Sequence, residues 1–99
     1  MAVDRGFLVI LEARADRVDD LAALLRSAQV LATAEEGTVS WYAFRLSETT
    51  FGIFDTFADE DARQTHARGH IPAALTRVGP DLLTADPDIR PVDVLASLY

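Results

Sequence analysis

The chain has 99 residues, 49% of them hydrophobic, and a formal net charge of −7. That size suits one domain spanning residues 1–99, with a modest core and more apolar side chain than so small an interior hides. Its nine basic residues are all Arg and lie scattered, so neither nucleic acid nor an anionic membrane surface is an expected partner; with no Cys, disulfides, thiolate nucleophiles and thiolate metal sites are excluded.

The opening MAVDRGFLVILEAR holds an apolar stretch of about five residues that Glu12 closes, too short for a secretory core or a membrane span, and a cytoplasmic protein is expected. Phe7 to Arg14 alternates Phe7, Val9 and Leu11 against Leu8 and Ile10, which predicts the first strand. Asp16 stands where an N-cap belongs, with Asp19 and Asp20 in the first turn. Val18, Leu21, Ala22, Leu25, Ala28, Leu31 and Ala32 then mark the apolar stripe of a helix ending near Glu35 to Gly37, where Gly37 is expected as a left-handed cap. Thr38 to Phe57, TVSWYAFRLSETTFGIFDTF, reads as two strands turning through Ser47, Glu48 and Thr49. Asp59, Glu60 and Asp61 open a second helical region as a helix cap. Gly69, His70 and Pro72 interrupt it, with Pro72 as the first residue of a new segment, and Gly79–Pro80 punctuates again. Residues 89–98, IRPVDVLASL, predict the last strand, with Val92, Val94, Ala96 and Leu98 on one side, and Pro91 places it at an edge or at its own start.

The hairpin is apolar on both faces: Val39, Trp41 and Ala43 point one way, and Tyr42, Phe44 and Leu46 the other. Two helical regions can cover one of them. A strand–helix–strand repeated twice around an antiparallel hairpin is the ferredoxin-like α+β arrangement, βαββαβ with a four-stranded antiparallel sheet. A second copy covering the bare face gives a dimeric α/β barrel that encloses space for a ligand, and the final strand is expected to reach across to the partner.

For an aromatic ligand the chain supplies Trp41, Tyr42, Phe44 and Phe54 for stacking, and His66, His70, Asp55 or Glu12 for proton transfer. Trp41 and Tyr42 point to opposite sides of one strand, so at most one lines a cavity. Glu12 and Arg14 suit a solvated rim. Asp55 sits among Phe51, Ile53, Phe54 and Phe57, where it needs a partner, Arg45 across the hairpin or a backbone donor, or else faces the cavity. His66 and His70 are four apart, a spacing that can hold a metal, but Gly69 and Pro72 break the helix there and no Glu follows His66. No metal is expected. Without Cys, a glycine-rich phosphate loop or a basic cluster, no organic cofactor is expected either. His66 ranks first for proton exchange with a phenol.

The segments GTVSWYAFRL, TFGIFDTFADEDARQTHARGHIPAAL and PVDVLA resemble the antibiotic-biosynthesis-monooxygenase-type dimeric α+β barrels over nearly the whole chain. The features that carry the resemblance are the Gly37-x-x-x-Trp41 entry to the second strand, Phe54-Asp55-x-Phe57 followed by an acidic helix start, and His66 with His70 around a helix break. It implies the same fold and a homodimer. Some members are cofactor-independent oxygenases of polycyclic phenols or quinols, some degrade haem, and many have no assigned reaction. The haem-degrading members resemble one another in a Trp and a ligating His on the second helical region, where this chain has His66 and Thr76 or Leu75. The expected function is therefore a cofactor-independent monooxygenase of a small aromatic quinol or polyphenol, with His66 catalytic and Trp41, Tyr42, Phe54, Asp55 and His70 around the substrate. A non-catalytic ligand-binding or structural dimer is the alternative.

Overall fold

The computed structural model describes residues 4–98, apart from the side chain of His70. In chain order the elements are β1 (Arg5–Glu12), α1 (Val18–Ala34), β2 (Thr38–Arg45), β3 (Thr50–Phe57), α2 (Glu60–Ala67), α3 (His70–Leu82) and β4 (Asp88–Asp93). The strands form one sheet in the order β2-β3-β1-β4 with every neighbouring pair antiparallel. This is the ferredoxin-like α+β fold expected from the element order, with β2 and β4 at the edges and Pro91 on an edge strand where its missing N–H is tolerated.

Alternation decides what each strand contributes. Val9 and Leu11 of β1 and Phe51 and Ile53 of β3 form the core with Leu21, Leu25, Ala28 and Ala32 of α1 and Ile71, Leu75 and Leu82 of α3. The helices therefore lie on one face. Register sets Leu8, Tyr42 and Phe54 in one row of the other face and Ile10, Phe44 and Gly52 in the next, and no element among the described residues covers them. A Cβ at Gly52 would enter the Phe44 ring, so the glycine lets that ring lie flat across the sheet. Gly6, in the middle of the sheet, is held equally tightly: a Cβ there would run into the backbone carbonyl of Asp55.

Local expectations differ at several points. The first strand starts at Arg5 and ends at Glu12, two residues early at each end. Arg17, not Asp16, caps α1, because the backbone turns through Arg17 N to Arg14 O (2.9 Å) and the Arg17 guanidinium reaches Asp20 at 2.6 Å. Gly37 is not left-handed, since no described glycine has positive φ; it is small because α2 crosses it and a Cβ would meet that of Ala62. Asp59 caps α2 as expected, accepting from Ala62 N at 2.8 Å. The helix break does fall at Gly69, but α3 begins at His70, so Pro72 is its third residue, still within the turn whose N–H groups need no partner. Gly79–Pro80 does not end α3, which runs on to Leu82; Arg14 holds that last turn through two hydrogen bonds to the Pro80 carbonyl at 3.0 and 3.2 Å. The final strand stops at Asp93: Val94 N donates to Asp4 O at 2.8 Å, and the ladder goes no further. Beyond it Leu95 and Leu98 are 96% and 98% exposed. Among the described residues no helix is long and apolar enough to cross a membrane.

Candidate functional site

Between the helix-covered face of the sheet and the pair α2–α3 lies a cavity of about 580 Å³. Phe7, Trp41, Ile53, Ile71 and Leu75 supply apolar walls, and Asp55 and His66 supply two polar groups. Apolar walls with a few convergent polar groups are the usual make-up of a small-molecule site. A second hollow of about 500 Å³ over α1 and β2 holds Arg26, Gln29 and Arg45 but no such pair.

The pair is built by register and by a short helix. Asp55 stands opposite Trp41 on β2 and Phe7 on β1, so all three side chains share the helix-covered face. The Asp59 cap starts α2 so that its one buried residue, His66, comes down on Asp55. The imidazole packs on Phe57, ring centroids 4.9 Å apart. Its Nε2 lies 3.1 Å from Asp55 Oδ2, and its Nδ1 lies 2.6 Å from Glu35 Oε1 at the C-terminal end of α1. Phe7 N donates to the remaining Asp55 oxygen at 3.2 Å. Asp55 is 1% exposed and His66 5%. Each carboxylate takes a different ring nitrogen, an arrangement that holds a proton, and among the described residues no group of three such side chains is placed to hold a metal ion.

Burial disfavours the charged imidazole, yet the hydrogen bonds and charges of Asp55 and Glu35 outweigh it and hold the His66 pKa above its ordinary value. A pKa raised by folding stabilises the fold fully below the unfolded value, about 6.5, and that contribution is lost as pH rises through the folded value. Chemical denaturation should accordingly show the wild type losing stability from about pH 6.5 upward, with the loss absent from His66→Gln. Equal slopes in the two proteins would rule out the charged triad.

Several expectations change here. The cavity opens on the helix side, not on the bare face, so Trp41 lines it whereas Tyr42 and Phe54 point away; Tyr42 is 61% exposed. Asp55 is paired, but not with Arg45, which lies opposite Phe51 and turns its guanidinium to the carbonyls of Ser47 and Glu48 at 3.1 and 2.7 Å. His66 has no free ring nitrogen, so a ligand meets the Asp55–His66 pair and not a bare imidazole. The side chain of His70 lies outside those described, although its backbone opens α3 beside the cavity. Glu12 is engaged outside the site, accepting from Thr49 at 2.6 Å and Thr50 at 2.5 Å. Glu35 carries no local mark in the sequence: it meets His66 only through the tertiary fold, 31 residues apart.

Among solved structures, the NE2512 protein of unknown function from Nitrosomonas europaea is 42% identical, covering 98% of this chain and 94% of that one at a TM-score of 0.95. The chain belongs to the family of that protein. More distant structures share the family's fold. A candidate antibiotic biosynthesis monooxygenase from Nitrosomonas europaea is 10% identical, covering 100% and 97% of the two chains at a TM-score of 0.84. Another from Caulobacter crescentus is 19% identical, covering 95% and 92% at 0.78. The resemblance to the antibiotic-biosynthesis-monooxygenase fold is thus shown in three dimensions. No family model and no curated protein matches the sequence.

Proposed function

We propose that this protein is a cofactor-independent monooxygenase of a small aromatic quinol or polyphenol, acting in the helix-side cavity of each subunit of a cytoplasmic homodimer. The observation that carries the reading is a buried carboxylate–imidazole pair opening on an otherwise apolar cavity of small-molecule size. A phenolic hydroxyl donating to Asp55 would lose its proton to the pair, and the electron-rich anion left behind can itself reduce O₂. One oxygen atom enters the ring as a carbonyl where two hydrogens leave, and the other departs with those hydrogens as water. No external electron donor is consumed. The buried indole nitrogen of Trp41, without a partner among the described residues, suits a second oxygen on the ligand.

Oxygen uptake and absorbance with menadiol-type and anthrone-type substrates test the reading. Turnover should fall about 10²-fold in Asp55→Asn, which removes the base and keeps the side chain's shape. Saturable binding without oxygen uptake by the wild type would instead favour a non-catalytic ligand-binding dimer.

A further inference from the structure

We propose that Glu35 is the outer end of a proton path, running from Asp55 through His66 to Glu35, by which the cavity exchanges protons with solvent through the protein wall. The inner carboxylate faces the cavity, and the outer one does not line it. Asp55 and His66 are closed to water, whereas the Glu35 side chain is 24% exposed. The contacts of 3.1 and 2.6 Å fall on opposite nitrogens of one imidazole, so when the ring is neutral with its hydrogen on Nδ1, a proton taken at Nε2 releases the other at Nδ1. Thr38 Oγ1, at the start of β2, donates to the same Glu35 oxygen at 3.1 Å and fixes the carboxylate against the ring.

The path deepens the proposed reaction and rests on it for its use. Ionising the phenol sends a proton outward; reducing O₂ to a ring hydroperoxide and breaking its O–O bond to give water calls for a proton to come back. Inward transfer reverses the two imidazole steps, so the ring returns to its starting tautomer without rotating. A structural staple joining the end of α1 to α2 and β3 would need the same contacts but no such traffic.

The test uses the whole chain and Glu35→Gln, which keeps a hydrogen-bonding oxygen and cannot take a proton; Glu35→Met gives the same reading should E35Q fail to fold. Exchange of the His66 ring proton with water, followed by nitrogen-edited NMR without any ligand, should slow roughly tenfold or more. Turnover of a phenol should drop with KM little changed, and added imidazole or phosphate buffer should restore it. If ring exchange slows while the wild type oxidises no phenol, the proposed reaction fails and the path stands. Exchange unchanged or faster in E35Q overturns the path, whatever turnover does, because loss of a staple loosens the site and cannot protect its proton.

Discussion

Replacing His66 by Ala should lower the free energy of unfolding by about 3–5 kcal/mol, the cost of leaving a buried charge without its partner. Asp55 is 1% exposed, and without the imidazole one of its oxygens keeps the long hydrogen bond from Phe7 N while the other has no partner among the described residues. Phe57 and Phe7 also lose the ring between them and α2. The cost belongs to the broken pair and not to the imidazole alone. Asp55→Leu combined with His66→Leu should therefore recover most of the loss, since it removes both charges together. Denaturant titration of the three proteins checks this. A single variant within about 1 kcal/mol of wild type would mean that Asp55 finds another partner.

The second large effect is on assembly. Wild-type protein should sediment and scatter as a dimer of the 10.8 kDa chain, and Phe54→Glu should convert it to a monomer. Phe54 stands between Tyr42 and Leu8 in the row across the bare sheet face, so in a face-to-face dimer the new carboxylate would be buried without a partner, at a cost of several kcal/mol. Ending the chain at Asp93 should weaken the dimer further, because Leu95 and Leu98 are almost fully exposed and suit a partner's surface. A wild-type chain that stays monomeric and folded at micromolar concentration would refute the face-to-face assembly.

Much of the architecture is written in the alternation of single strands. Phe7, Val9 and Leu11 against Leu8 and Ile10, and the same doubling in β2 and β3, announce a sheet apolar on both faces, and the Asp59 cap announces α2. Helix ends are less legible. Arg14 reaching the Pro80 carbonyl carries α3 past a Gly–Pro that local propensity reads as a stop. Within the site, the need of Asp55 for a partner is visible from its apolar strand, and counting outward from the turn sets Trp41 opposite it and Arg45 opposite Phe51. That count alone removes Arg45 as the partner. The docking of α2 that brings His66 down, and the closure of α1 that delivers Glu35, join residues with no common period, so no local pattern marks them.

The place of β1 has a consequence for how the protein is made. It leaves the ribosome before both of its neighbours, β3 and β4, with α1 and β2 made before the first of them and α2 and α3 before the second. A nascent chain therefore carries an apolar strand with two open hydrogen-bonding edges until β3 emerges, and with one until β4 does. The sheet can close only once β4 has emerged, so folding is governed by long-range pairing and is slow. In that interval Phe7 to Leu11 is the segment most open to wrong pairing, and a chaperone that holds extended apolar stretches would find its binding site there.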